Sequence, residues 1–286
     1  MALTLLAVPN VSAGRDTEAI DAVARAFDAR LLDVHIDPDH NRSVFTLAGE
    51  PGELAGPVHA GARALLELID LAEHEGVHPR VGALDVAPIV YLEDSSRGQA
   101  CAEALVLADL LGHELGLPVF LYGALAGGRT RAQLRRGGPG ALAQRIEAGE
   151  LVPDFGPRQL HPRAGAVLVA ARPPLIAFNL ELAPPASLAR AKEIAALIRE
   201  GGPEGLPSVR ALGLWLEGPG IAQVSTNIED HRVTPPHQVV SAVARHAPVA
   251  GIELVGLAPR EALEQLPSDM PARGLRSIED ALRTTP

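Results

Sequence analysis

The stretch LIAFNLELAPPASLARAKEIAALIR, residues 175–199, decides the fold class. Leu175 to Leu182 reads as a strand and Ser187 to Arg199 as a helix, with Ser187 placed to cap its start and Gly201–Gly202 to stop it. Downstream, Val209 to Leu216 and Ile221 to Asn227 are strands joined by the turn chemistry of Gly218-Pro219-Gly220. Pro236 to Arg245 then predicts a helix and Gly251 to Val255 a last strand, so the order is βαββαβ. Upstream the same order recurs. Leu3 to Val8 is strand-like, and Asp16 to Ala29 has the helical spacing Ile20, Val23, Ala24, Phe27. Leu31 to Ile36 and Ser43 to Leu47 flank the turn-rich Pro38 to Asn41; Glu53 to Glu73 predicts a helix and Gly82 to Leu92 a strand.

These orders predict an α/β (α+β) chain made of two tandem ferredoxin-like βαββαβ sandwich lobes with a cleft between them, over residues 1–173 and 174–286. The repeat is one of topology, because the halves share no visible sequence identity. A doubly wound Rossmann sheet requires strict alternation of strand and helix and a glycine-rich first turn, which this chain lacks. Between the two patterns lie a helix from Arg97 to Leu115 and a short strand, Val119 to Tyr122. Gly123 to Arg163, rich in glycine, proline and arginine with a short helix at Ala141 to Ala148, reads as a functional insertion and not as a core element. Ala166 to Ala170 is a strand, and Pro173–Pro174 breaks the chain before the second pattern.

At 286 residues, 47% hydrophobic and 21% charged, the chain has the balance of a folded globular protein. A lone Cys101 excludes an internal disulfide and suits a reducing compartment. MALTLLAVPN lacks the basic start and long apolar run of a signal peptide, and no uncharged apolar stretch reaches the roughly 18 residues of a membrane span. A cytoplasmic location without membrane contact is therefore expected. The net charge of -10 argues against broad nucleic-acid binding, and 3% aromatic content leaves few stacking platforms. Apart from Lys192 every basic residue is arginine, so an anion site here would be built from guanidinium forks.

His74-Glu75-Gly76-Val77-His78 satisfies the H-E-x-x-H zinc pattern formally. That chemistry needs one continuous helix, whereas Gly76 weakens a helix and Pro79 pushes His78 to extended backbone, so no metal is expected. Asp37-Pro38-Asp39-His40 reads as turn chemistry, and His59, His113 and His246 fall on helical stretches with nothing nearby to recruit them. His78 is different: on a Pro-Arg turn between a helix end and a strand start, it can offer an imidazole nitrogen to a ligand.

VPNVSAGR (8–15), HNRSVFTLAGEP (40–51), HPRVGALDVAP (78–88), PVFLYG (118–123), PDFGP (153–157), LIAFN (175–179), AQVSTN (222–227) and ELVGLAP (253–259) together resemble the glutamate formimidoyltransferase family, in that family's order and over nearly the whole chain. The resemblance implies transfer of a formimidoyl group from N-formimidoyl-L-glutamate to N5 of tetrahydrofolate, in histidine degradation, with tetrahydrofolate as co-substrate, no metal, and a homodimer. It implies that His78 is catalytic, a role suited to a near-neutral imidazole that accepts and returns a proton. It places Asn10, Ser12, Gly14, Arg15, Asn41, Arg42, Arg80 and Gly82 in the substrate site, with arginines for carboxylates. Asp154, Phe155 and Gly156 are implied on the pterin side, and Gln223, Ser225, Thr226 and Asn227, with Asn179, as polar contacts in the second lobe.

The chain departs from the family pattern at His35, where many members carry an acidic residue, at Glu181, where an amide is usual, and at Val167, where a hydroxyl is usual. It also ends without the cyclodeaminase domain of bifunctional relatives. A carboxylate at 181 reverses donor preference and repels anions, which raises a shifted formyl or formimidoyl donor as one alternative. A non-catalytic folate or amino-acid binding module is another, because fold does not fix function. The arginines from Arg129 to Arg136 suggest electrostatic steering of a polyanionic folate.

Overall fold

The computed structural model describes residues 3–76 and 79–285. The chain divides into two compact units, Met1–Arg172 and Pro173–Pro286.

The first unit opens with β1 (Leu5–Ala7) and β2 (Asn10–Val11), which both pair antiparallel with β4 and β5 and so share one lane of the sheet. Helix α1 (Thr17–Ala26) starts where the Asp16 carboxylate accepts from the Ala19 N–H at 3.0 Å, satisfying one of the free amides of the first turn. Then come β3 (Arg30–Asp37), β4 (Arg42–Gly49), α2 (Ala55–Leu68), a 3-10 turn at Leu71–Glu73, β5 (Leu84–Tyr91), a 3-10 turn at Asp94–Ser96 and α3 (Arg97–Asp109). The last runs into a π-turn, Leu110–Glu114. The strand order β3, β4, β1 with β2, β5 is that of a ferredoxin-like sheet. Two parallel strands extend it, β7 (Val167–Arg172) beside β5 and β6 (Val119–Leu121) at the edge.

Alternation along the strands divides this sheet into two faces. Leu5, Ala7, Phe45, Leu47, Ile89 and Val169 face α1, α2 and α3, together with Ile20, Val23, Phe27, Val58 and Leu107. Phe27 and Phe45 meet edge to face, with ring centroids 5.0 Å apart. Each such side chain contributes about 1.5–3 kcal/mol through burial. Helix α2 carries no side-chain cap of its own. Instead Glu103 of α3, buried, accepts from the Leu54 and Ala55 N–H groups at 2.9 and 2.6 Å, and from that of Gly52.

The expected helix Glu53 to Glu73 stops at Leu68, because Ile69 turns extended. A larger correction concerns residues 123–163. They carry two helices, α4 (Arg131–Arg135) and α5 (Gly138–Glu147), whose Leu134, Leu142 and Ile146 pack on Val86, Phe120, Tyr122, Leu168 and Ala170. The segment read as an insertion is thus the second hydrophobic layer of the unit, covering part of the sheet face that α1 to α3 leave open. Three apolar side chains suffice for this, too few to give a visible periodicity among glycines and arginines.

The second unit is β8 (Ile176–Leu182), α6 (Leu188–Ile198), β9 (Val209–Leu216), β10 (Ile221–Ile228), α7 (Pro236–Ala244) and β11 (Val249–Val255), followed by α8 (Arg260–Leu263), β12 (Ala272–Arg273) and α9 (Ile278–Thr284). Ser187 caps α6, its hydroxyl accepting from the Arg190 N–H at 3.2 Å. The order β11, β8, β10, β9 is again ferredoxin-like and antiparallel, with β12 added in parallel at the β11 edge. Ile176, Phe178, Leu180, Val224 and Ile228 pack against Ile194, Ile198, Val239 and Val243 of the two helices. No helix among the described residues is long and apolar enough to cross a membrane.

Candidate active site

In the first unit the turn after β2 is held from several sides. Ser12 donates to the Gly82 carbonyl at 2.7 Å, the Gly14 N–H donates to Asn41 Oδ1 at 2.8 Å, and Arg15 Nε donates to the Pro38 carbonyl at 3.0 Å. Gly14 is obligatory here, since a Cβ would stand 2.1 Å from the Asp37 carbonyl oxygen. Asn41, itself at φ 48°, donates onward to the Glu75 carbonyl at 2.8 Å, and its own carbonyl meets His74 Nε2 at 2.8 Å. One asparagine thereby ties the 12–15 turn to the segment that leads into residue 78.

His78 and Val77 lie outside the described residues. Their flanks are fixed on both sides. Before them, Arg80 bonds back to the Gly76 and His74 carbonyls at 3.1 and 2.5 Å. After them, the Val81 N–H donates to Asp85 Oδ1 at 2.7 Å, and Gly82 sits so close to Ala166 that a Cβ would come within 1.8 Å of that carbonyl oxygen. His74 is on extended backbone (φ -80°, ψ 122°), so the single helix required by an H-E-x-x-H zinc site is missing at its first histidine. Burial lowers the His74 pKa, the bond to Asn41 opposes this, and the Arg80 charge lowers it further.

Arg42 starts β4 on the face opposite the large core and is half-buried, its Nη2 donating to Asn10 Oδ1. Burial pushes its pKa down to about 10; the Arg135 and Arg131 charges push the same way, while Asp85 and Asp37 oppose. Arg80 is lowered by burial and partly restored by Asp85. Asp85 is the hub of these groups: one oxygen holds Val81, the other pairs with Arg135 of α4, and both side chains of that pair are largely buried. Asp37 pairs with His40 through the ring Nδ1 and also accepts from the His40 N–H at 2.9 Å, the turn chemistry expected of that tetrapeptide. Burial works to raise the Asp37 carboxyl, but His40 outweighs it and the net direction is down. His35, two residues earlier on β3, adds its charge in the same sense.

Asn10, Ser12, Gly14, Arg15, Asn41, Arg42, Arg80 and Gly82 therefore surround one segment. Asp154, Phe155 and Gly156 bind elsewhere. The Asp154 carboxylate accepts from the Leu121 N–H at 2.8 Å and from Arg129, Phe155 lies edge-on to His113, and Gly156, at φ 77°, passes the Leu117 carbonyl. These contacts pin the start of β6 to the π-turn. The arginines proposed for steering are also engaged: Arg129 pairs with Asp154, Arg135 with Asp85, and Arg131 stacks on Tyr122. His59, His113 and His246, expected to lack company, each lie within salt-bridge distance of a carboxylate, from Glu114, Asp109 and Glu204 at 3.2, 2.7 and 3.1 Å. Helix periodicity could not show this for His59 and His246, whose partners come from distant segments.

In the second unit, the register puts Gln223 opposite Glu181 and Ser225 opposite Asn179, with Asn227 on the same side. Thr226 points to the other face, where its hydroxyl donates to the Phe178 carbonyl at 2.5 Å. Asn179 donates to Glu253 at 3.0 Å, and Arg273 pairs with both Glu181 and Glu253, which raises its own pKa. The carboxylate at 181 is thus answered by a guanidinium, and the repulsion expected from it is largely neutralised. Gln223 is fully buried, and neither amide atom has a partner among the described residues.

Sequence reasoning gave no role to Asp85 or Tyr122, and gave Arg135 only a part in steering. Asp85 carried a usable signal, being the one carboxylate inside the apolar strand, where a charge demands a partner.

Residues 4–172 match the family described as "Formiminotransferase domain, N-terminal subdomain", and residues 177–268 match "Formiminotransferase domain". The chain is 41% identical over 280 residues to the formimidoyltransferase-cyclodeaminase of Gallus gallus, covering 92% of this chain and 51% of that protein. It spans about half the length of the vertebrate relatives it matches. It is 36% identical over 272 residues to the glutamate formimidoyltransferase of Thermoplasma acidophilum, covering 90% of this chain and 88% of that one. With the glutamate formimidoyltransferase of Streptococcus pyogenes serotype M1 the identity is 34% over 275 residues, covering 92% and 91%.

Proposed function

The chain belongs to the formiminotransferase domain family, and from that premise we propose that it moves a formimidoyl group from N-formimidoyl-L-glutamate to N5 of tetrahydrofolate. The observation that supports the reading in the molecule itself is the anchoring of both flanks of residue 78: the Arg80 side chain holds the His74 and Gly76 carbonyls that precede it, and Asp85 holds the Val81 N–H that follows it. A general base works only when held within hydrogen-bond reach of its proton, so a position whose neighbours on both sides are anchored suits such a group.

In this reading N5 attacks the formimidoyl carbon, the bond from that carbon to the glutamate nitrogen breaks, and His78 takes the N5 proton and returns it to the leaving nitrogen. Arg42 and Arg80, never deprotonated near neutral pH, supply fixed positive charge beside the reacting groups. Tetrahydrofolate is a substrate, and the mechanism assigns no step to a metal. The residues of the second unit, Gln223 first, contribute polar contacts to the folate. The active form is a homodimer in the cytoplasm.

The test is formimidoyl transfer by wild type and His78→Ala together, with a formyl donor as control. Turnover by wild type that falls about 10²- to 10⁴-fold in the variant is expected. Retained turnover in His78→Ala removes the assignment of His78. Tetrahydrofolate binding without transfer indicates a binding module, and transfer from the formyl donor alone indicates a shifted donor.

A further inference from the structure

Tyr122, the residue after β6, packs in the small core under α4 and α5. Its hydroxyl is buried and has no hydrogen-bond partner among the described residues. A phenol left in that state loses its water bonds and gains nothing in return, so the arrangement is costly unless something completes it. Arg135 shows the same deficit. Its Nη2 is bound to Asp85, while its Nε is buried without a partner among the described residues.

Both deficits lie at α4. Arg131 and Arg135 stand four residues apart on α4, hence on one side of it, and the Arg131 guanidinium lies 5.8 Å from the centre of the Tyr122 ring. Asp85 holds Arg135 and, with its other oxygen, the Val81 N–H, three residues after position 78. Arg42 feels the charges of Arg135 and Arg131 directly. An O–H and an N–H donor, both buried and both lacking an acceptor, face a neighbourhood richer in guanidinium than in carboxylate. The complement is an anionic acceptor.

We infer that Tyr122, Arg131 and Arg135 form a carboxylate-binding subsite, with Asp85 as the positioning residue that orients Arg135. The inference rests on the transferase reading for its ligands, which present carboxylates from two sources: the glutamyl part of the donor and the glutamate tail of the folate.

Tyr122→Phe is the sharpest test, because it deletes only the idle oxygen. If the hydroxyl serves the fold alone, its removal leaves both KM values within twofold of wild type while the melting temperature holds or rises; that result overturns the subsite. If it binds a carboxylate, the melting temperature again holds or rises, but one KM increases about five- to twentyfold, the scale of a hydrogen bond to a charged group. A rise for N-formimidoyl-L-glutamate identifies the donor as the source. A rise for tetrahydrofolate that vanishes with a tetrahydropteroate lacking glutamate identifies the folate tail. Arg25→Gln, exposed in the last turn of α1, removes an equal charge away from the subsite and leaves both KM values unchanged. Should wild type show no transfer at all, titration with L-glutamate and with tetrahydrofolate decides separately: binding weakened by Tyr122→Phe keeps the subsite, and equal binding by both proteins removes it.

Discussion

The two units share one strand order, yet treat the second face of the sheet in opposite ways. In the first unit α4 and α5 roof part of that face, and the charges beneath are taken out of water: in the Asp85–Arg135 pair the side chains are 4% and 13% exposed. In the second unit Glu181 and Glu253, with side chains 13% and 14% exposed, are met at the sheet edge by Arg273, whose side chain is 59% exposed, so there only the guanidinium stands in water. The chemistry of the pairs is the same and the consequence differs. A buried pair must be complete, since losing one partner strands the other charge in a poor solvent, while an exposed pair trades its bond for hydration.

The largest break in this comparison comes from Asp85→Ala. It strands Arg135 and frees the Val81 N–H, so urea unfolding should show a loss of about 3–5 kcal/mol; a loss below 1 kcal/mol would mean that water reaches the pair. Gly82→Ala comes next. Its Cβ would press on the Ala166 carbonyl, at a cost of about 1–3 kcal/mol for overpacking. Because Gly82 also accepts the Ser12 bond and lies four residues after position 78, transferase turnover should drop more than unfolding predicts. Arg273→Ala, the counterpart in the second unit, removes an exposed guanidinium but leaves Glu181 and Glu253 without it, so the loss should be smaller than for Asp85→Ala, about 1–2 kcal/mol, and should shrink in high salt. A larger loss there would erase the distinction between the units.

The smallest effect is a slope with pH. His74 has a lowered pKa in the folded chain, so the unfolded chain binds its proton first as pH falls through the ordinary histidine range near 6.5. Stability should be full above that range and decline below it, and the decline should be shallower in His74→Gln. No difference between the two proteins from pH 7.5 to 5.5 would show that burial at His74 does not act on its titration.

Where the sequence alone was legible, local signals agreed with tertiary needs. Ser187 caps α6, Gly218 to Gly220 turn the hairpin, and apolar alternation sets the faces of β8 and β10, so the second βαββαβ pattern reads almost to the residue. The helix read through Ile69 fails because Ile69 and Asp70 leave helical backbone, with Asp70 held by Arg163 from 93 positions away. Residues 123–163 were opaque for a related reason: Leu134, Leu142 and Ile146 alone are buried on this face, with Leu151 and Leu160 packed at its margin. At the site, Asn41, Gly14 and Gly82 announce tight turns by residue type. Asp85 and Arg135 announce nothing to each other across 50 positions of chain, and neither does Asp154 to Arg129.

Glu103 carries a consequence for the order of events in folding. Helix α2 lacks a cap of its own, and the carboxylate that closes its first turn arrives 48 to 51 residues later in the chain. During synthesis α2 emerges with that end frayed, and it becomes fully formed only once β5 is laid down and α3 docks. The amide protons of Leu54 and Ala55 should therefore exchange with solvent only when α3 detaches, at the same rate as the protons within α3, so that two helices far apart along the chain open as one cooperative unit.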